Sequence, residues 1–273
     1  MELVPHIAAV GAAHYLLTPS LKKVGDRLAK YTEKGLDNIA RVLGVADTRV
    51  KQRRKGKGDY SPRVLQRVIQ QAYSCEDELQ GSYLGGILAS SRGTISRDDR
   101  AAYYLSIIES LSSYQLRTHA IFYSAILRIG PAEFERGKRH ILRGDATVMI
   151  TDRDYRRGMS FSKVEKPRII TAHVFNGLGQ QRLVSGCLSA MMMIKPERLG
   201  GPYILAPKAK PMKTLMHYFY PTQLGIELFL WGLGCGEKGI DAYAPALLKQ
   251  ANLPFAVSCH NIRFGHVSYP PID

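Results

Sequence analysis

The stretch that decides the fold is SPRVLQRVIQQAYSCEDELQGSYLGGILASS, residues 61–91. It contains two amphipathic segments, each with its own helix-start signal: Ser61-Pro62 supplies an N-cap followed by a proline, and Ser74 with Asp77 has the spacing of a capping box. Apolar stripes at helical spacing follow both starts, namely Val64, Leu65, Val68, Ile69 and Ala72, then Leu79, Tyr83, Leu84, Ile87 and Leu88. The stretch predicts two helices that pack together.

The same signals continue on both sides of this stretch. Thr18-Pro19 predicts a helix start, and the segments after Ser96 and Ser113 predict two more helices. Between residues 47 and 60 the periodicity fails, which predicts a loop or a frayed helix end. Short connections between amphipathic helices are typical of antiparallel neighbours in a bundle. Residues 1–135 are therefore predicted to form a helical domain.

The chain changes character after about residue 140. Gly and Pro residues separate short β-rich segments, and the predicted strands are 147–151, 168–174, 215–220, 255–259 and 262–267. Helices are predicted at 179–194 and 222–233. Residues 136–273 are predicted to form an α+β domain, for which a winged-helix arrangement is one interpretation. The fold class is thus mainly α, with an N-terminal amphipathic helical bundle and a C-terminal α+β region.

Composition limits the class of protein. Apolar residues make up 45% of the 273 residues, so the chain can form a buried core. The 38 Lys and Arg exceed the 23 Asp and Glu, and the net charge of +15 favours an anionic partner. The four cysteines form no C-x-x-C pair, and the apolar runs are shorter than the roughly 20 residues of a membrane span. A cytoplasmic protein with no stable membrane insertion is expected.

Several short segments follow one another in a defined order, at residues 17–26, 39–43, 61–65, 76–80, 87–90, 111–115 and 220–229. In this order they resemble the Abi-alpha (abortive infection alpha) family of bacterial proteins, a domain of unknown function linked to phage defence. The resemblance covers residues 17–127 and, more weakly, 215–233, and it departs from the family at 81–84, where the family often has a Trp. It implies a role in phage defence but supplies no catalytic residue.

The predicted binding residues are basic. The densest tract contributes Arg49, Lys51, Arg53, Arg54, Lys55 and Lys57, and a second cluster contributes Arg139, Arg156 and Arg157. Such density can neutralise several phosphates, although a solvated charged loop has the same composition. Tyr155 beside the arginines is typical of single-strand binding. No base-reading motif accompanies the basic residues, so binding without sequence specificity is predicted.

Two sets of residues have the types needed for metal chemistry. Asp152, Asp154, Glu165 and Lys166 could serve a Mg²⁺ nuclease, but the arginines between them favour simple ion pairing. Cys235, Cys259, His260 and His266 could bind zinc, but they include no tight chelating pair. No catalytic residue, metal or cofactor is therefore predicted.

The preferred hypothesis is a bacterial phage-defence protein without enzymatic activity that binds an anionic partner through a basic surface. That partner is non-specific nucleic acid or an acidic protein, with a phage protein or a defence complex as a further candidate. Two alternatives stay open: a metal-dependent nuclease-type toxin, and an interaction subunit of a larger defence complex.

Overall fold

The computed structural model describes residues 19–52, 58–93, 98–128, 134, 141, 146–194, 212–247, 253 and 261–264. Their helices and strands are α1 (Pro19–Gln52), α2 (Pro62–Tyr73), α3 (Glu78–Ser90), α4 (Arg100–Ser110), α5 (Ser113–Ile126), β1 (Ala146–Thr151), α6 (Asp152–Met159), α7 (Pro167–Gln180), β2 (Val184–Ile194), β3 (Met212–Pro221), α8 (Gln223–Gly232) and β4 (Asn261–Phe264). The protein is mainly helical with an α+β region in its C-terminal half, as the sequence predicted, and the strands of that region form one antiparallel sheet.

The helix starts in the first half follow the local sequence closely. Ser61 precedes a proline at the first position of α2. Asp77 caps α3, because its carboxylate accepts a hydrogen bond from the Gln80 amide at 2.8 Å; the cap is therefore Asp77 itself and not Ser74. Ser112 and Gln115 form a complete capping box at the start of α5. These caps satisfy backbone N–H groups that have no partner within the helix.

Helix α1 is longer than the sequence suggested, since it continues to Gln52 through the first part of the predicted loop. Gly35 lies within it and does not break it. An added Cβ at Gly35 would overlap the ring of Tyr73 at the end of α2. Glycine therefore allows α1 and α2 to approach each other closely at this point.

The sheet has the strand order β2-β3-β1-β4, and all neighbouring strands are antiparallel. Two predictions in this region were wrong. The predicted strand 168–174 belongs to α7, and most of the predicted helix 179–194 is β2. Pro167 at the first turn of α7 favours a helix start, whereas β2 gains its conformation from a long pairing with β3.

The winged-helix interpretation needs strands that follow α8 and form a wing. The predicted strand 255–259 lies outside the described residues. The first part of the last predicted strand, 262–267, is described as β4, and β4 pairs with β1 in the sheet. A wing is therefore not formed by the part of the chain that the structure describes.

Aromatic contacts join the helices to the sheet. Phe122 of α5 stacks on Phe219 of β3 with ring centroids 4.0 Å apart, and Tyr104 of α4 stacks on Trp231 of α8 at 4.8 Å. One cluster of buried residues includes members from both halves of the sequence. None of the helices that the structure describes is both long enough and apolar enough to cross a membrane.

Candidate anion-binding surface

Helix α6 presents a basic face to solvent. Arg153, Arg156 and Arg157 are exposed and lie on one side of the helix, because positions three and four apart share a face. The opposite side buries Tyr155 and Met159. Thr151 fixes the start of the helix, since its hydroxyl oxygen accepts a hydrogen bond from the Asp154 amide at 3.1 Å. The local amphipathic pattern thus orients three guanidinium groups outward.

The segment after α6 adds three more exposed cations, Lys163, Lys166 and Arg168. Glu165 is the acidic residue of this segment, and its carboxylate accepts hydrogen bonds from the Ser162 amide and the Tyr114 hydroxyl. The hydrogen bond from Ser162 has the largest effect and, together with the bond from Tyr114, lowers the pKa of Glu165 below its ordinary value. The carboxylate is therefore held by neutral groups and not by the neighbouring lysines.

We name Arg153, Arg156, Arg157, Lys163, Lys166 and Arg168 the α6–α7 surface. Residues 152–182 carry seven Lys or Arg against three Asp or Glu, a net charge of +4. Asp152 pairs with Arg156 at 2.6 Å and Asp154 with Arg157 at 3.6 Å. Within the described ranges, no carboxylate forms an ion pair with the remaining cations, which are Arg153, Lys163, Lys166, Arg168 and Arg182. The positive charge here is only partly neutralised.

The cations of the helical half are engaged differently. Several exposed or half-buried cations each face a carboxylate on another element or a nearby turn: Lys34 with Glu76, Arg63 with Asp99, Arg67 with Glu109 and Arg100 with Asp98. The Arg41 guanidinium donates to the Cys75 carbonyl oxygen at 2.6 Å. These pairs reduce the field that an approaching anion would feel on this side.

The predicted basic tract is described only at its start. Lys51 is exposed and pairs with Asp47 at 2.6 Å. Arg49 is half-buried, and its guanidinium donates to Ser82 Oγ at 2.6 Å and to the carbonyl oxygen of Gly232. Arg53, Arg54, Lys55, Lys57 and, in the second cluster, Arg139 lie outside the described residues. Their role in anion binding stays a prediction.

A hydrogen-bonded chain beneath the α6–α7 surface was missed at the sequence level. Ser189 Oγ lies 2.8 Å from His217 Nδ1, and His217 Nε2 lies 3.0 Å from Asp152 Oδ1. The other carboxylate oxygen of Asp152 accepts from Arg156 Nε at 2.6 Å. The chain connects the exposed Ser189 on β2 with the exposed Arg156 on α6 through a histidine that is only 2% exposed. Because its members are far apart in sequence, no motif could reveal it.

Serine, histidine and aspartate in this order are the residue types of a nucleophile, a base and an orienting acid. Ser189 lies in the interior of a regular strand, however, with Leu188 and Ala190 paired on either side of it. In α/β-hydrolases, by contrast, the nucleophilic serine lies on a sharp strand-to-helix turn that exposes it. We interpret the hydrogen-bonded chain of Ser189, His217, Asp152 and Arg156 as a support for α6.

The carboxylates considered for a metal site are each held by other partners in the described part of the chain. Asp154 accepts from the Thr151 hydroxyl at 2.8 Å, while Glu165 is bound at Ser162 and Tyr114. In the part of the chain that the structure describes, no group of three or more His, Cys, Asp or Glu could hold a metal ion. Cys259, His260 and His266 lie outside it. The pairing of Asp152 with Arg156 agrees with the expected ion pairing of these acids.

The chain matches no family model, no curated protein and no solved structure.

Proposed function

We propose that this protein binds the phosphate backbone of nucleic acid, without sequence preference, through the α6–α7 surface. The observation that carries the proposal is the group of exposed cations, Lys163, Lys166 and Arg168 among them, that no described carboxylate neutralises. Each lysine or arginine that contacts a phosphate releases condensed counterions, which makes such binding favourable and salt-dependent. The net charge of +15 adds long-range attraction.

A role in bacterial phage defence in the cytoplasm is part of the same proposal. It is supported by the resemblance of residues 17–127 to the Abi-alpha family and by the absence of a membrane-spanning helix in the described part of the chain. Binding of nucleic acid would give such a protein a means to detect or sequester a phage genome or transcript.

The test compares two variants with the same change in net charge. In the first, Lys163, Lys166 and Arg168 are replaced by Gln; in the second, Lys34, Arg63 and Arg100, which pair with carboxylates elsewhere, are replaced by Gln. Binding to mixed-sequence RNA and to a DNA duplex is followed by fluorescence anisotropy at several salt concentrations. We expect the affinity of the first variant to fall about tenfold. The slope of the logarithm of its binding constant against the logarithm of the salt concentration should become less steep by up to about three units. The second should lose far less.

Equal losses in both variants would contradict the proposal, because total charge and not this surface would then control binding. Vesicles that contain phosphatidylserine serve as a second probe. Val164 is 89% exposed and Ile169 is 64% exposed beside these cations, and apolar side chains among cations are typical of loops that dock on anionic bilayers. Binding to the vesicles without binding to RNA or DNA would also contradict the proposal.

A further inference from the structure

His217 occupies the centre of the chain that connects Ser189 with Arg156. It lies in β3 opposite Ser189 of β2 and opposite Ile150 of β1. The ring of Tyr155 from α6 packs against it at 4.8 Å and that of Phe175 from α7 at 5.4 Å. Its two ring nitrogens are the polar connections from this enclosed position to the surface.

We propose that His217 is the positioning residue of the α6–α7 surface: it holds the Asp152 carboxylate that anchors Arg156, and its protonation releases Arg156 toward an anion and strengthens anion binding. The binding consequence rests on the proposed function, whereas the coupling between His217 and Arg156 can be observed without any ligand.

The direction of each hydrogen bond follows from the chemistry of the partners. The ionised carboxylate of Asp152 only accepts, so His217 Nε2 carries a proton and donates to it. In the neutral imidazole Nδ1 then accepts from the Ser189 hydroxyl. When Nδ1 is protonated, the Ser189 oxygen becomes the acceptor. The group of His217, Asp152 and Arg156 then changes from zero net charge to +1, and the carboxylate is shared between two cations.

The surroundings allow the proton on His217 to act mainly on this ion pair. Asp152 and Arg156 are the charged groups that influence the pKa of His217 within the described part of the chain. Burial raises the pKa of Tyr155 and of Cys187 to about 12, so both stay neutral under physiological conditions. Burial also lowers the pKa of His217 below 6.5, against the opposing effect of Asp152. The positive form is therefore reached on acidification.

The first experiment needs no ligand. The imidazole of His217 and the Nε–Hε group of Arg156 are followed by NMR between pH 7.5 and 5 in uniformly ¹⁵N-labelled protein. The Arg156 resonance is assigned by its loss in Arg156→Lys. We expect it to shift with the same midpoint as His217, and to lose that transition in His217→Gln, which keeps a neutral donor toward Asp152 but does not titrate. An Arg156 resonance that ignores the titration of His217 overturns the proposal.

The second experiment measures binding to a cyanine-labelled DNA duplex of 20 base pairs at pH 7.5 and 5.5. The wild type should bind about three- to tenfold more tightly at the lower pH. His217→Gln should match it at pH 7.5 and lose most of that gain, whereas His173→Gln, which alters an exposed histidine on α7, should keep it. A gain that persists in His217→Gln overturns the proposal. Thermal melts at both pH values verify that each variant is folded.

Ser189→Ala gives a second route to the same answer. It removes the partner of Nδ1 in both protonation states, but the bond to the positively charged ring is the stronger one. The midpoint of both the NMR transition and the binding gain should therefore move to lower pH. Midpoints unchanged by this substitution would contradict the assigned geometry. If the wild type binds no duplex at any pH while Arg156 still follows His217, the proposed function fails and the positioning role stands.

Discussion

Arg49 donates a hydrogen bond to the carbonyl oxygen of Gly232, which lies 183 residues further along the chain. Gly232 is the last residue of α8, where carbonyl groups have no partner within the helix. A cation at this end also complements the negative end of the helix dipole. The same guanidinium donates to Ser82 of α3. A residue that the sequence placed in a phosphate-binding tract thus joins three helices.

Replacing Arg49 with Met should therefore destabilise the fold. Loss of charge-assisted hydrogen bonds from a half-buried site is expected to lower the free energy of unfolding by about 2 kcal/mol. Urea denaturation followed by circular dichroism measures this change. Lys51→Met is the matched control, because the exposed pair of Lys51 with Asp47 contributes little. If the urea midpoint of Arg49→Met equals that of the wild type, the contacts of Arg49 do not stabilise the fold.

Gly86 on α3 allows the backbone of α8 to come close. An added Cβ at Gly86 would overlap the carbonyl oxygen of Gly232. Gly86→Ala should therefore lower the free energy of unfolding by about 3 kcal/mol or more, because backbone atoms would have to move.

Gly44 provides the opposite case within α1, since nothing lies within 4 Å of an added Cβ there. Gly44→Ala should raise stability by about 0.5–1 kcal/mol, because alanine favours the helix. Denaturation midpoints of the two variants should move in opposite directions. A Gly86→Ala midpoint equal to or above that of the wild type would mean that α3 and α8 do not pack as described.

His119 should make the stability of the fold depend on pH. Its Nε2–H donates to the Gly225 carbonyl oxygen at 2.9 Å, and its Nδ1 accepts from the Tyr83 hydroxyl at 3.1 Å. Burial lowers its pKa to about 4, below the ordinary 6.5. The folded state thus holds fewer protons than the unfolded state, so stability is complete above pH 6.5 and falls toward pH 4, by at most about 1.4 kcal/mol per pH unit.

Urea denaturation between pH 7.5 and 5 tests this dependence. His119→Phe should be less stable at pH 7.5, because two polar partners lose their hydrogen bonds, but its stability should vary less with pH. The exposed His173 serves as the control, and His173→Gln should keep the wild-type slope. A wild-type slope retained in His119→Phe would assign the pH dependence to other groups, His217 among them.

The basic tract offers a separate test of nucleic-acid binding. Replacement of Arg53, Arg54 and Lys55 together by Glu is expected to weaken the binding of polyanions and to leave the fold intact, because six units of charge change at once in a dense cluster that adds to the long-range attraction. Anisotropy with the same RNA and DNA probes measures the affinity, and circular dichroism reports the fold. Unchanged affinity would identify the tract as a solvated segment and leave the α6–α7 surface as the binding site.

Local sequence was sufficient for the helical half. Ser61, Asp77 and Ser112 mark helix starts through short-range hydrogen bonds or geometry, and most residues of the apolar stripes behind them are buried. These features depend on residues a few positions apart, so a single sequence contains the information. Arg156 with Asp152 could be anticipated for the same reason, since the two residues are four apart in one helix.

Long-range pairing was beyond the reach of local patterns. Three consecutive β-branched residues, Ile169, Ile170 and Thr171, favour a strand by local preference, yet they lie in the first turns of α7. Residues 184–194 include Leu, Ala and Met, which favour helices, yet their pairing with β3 decides their conformation. His217 gained its role from Ser189 and Asp152, which only the folded sheet brings to it.

The position of β1 between β3 and β4 in the sheet also affects the order in which the protein folds during its synthesis. Val148 pairs with Phe219 on one side and with Ile262 on the other. The contacts among α2, α3 and α4 can form early, while strand β1 must wait until residues 261–264 have been synthesised before its second edge is covered. A ribosome stalled before those residues would thus expose an open β-edge on a chain whose helices had already begun to pack.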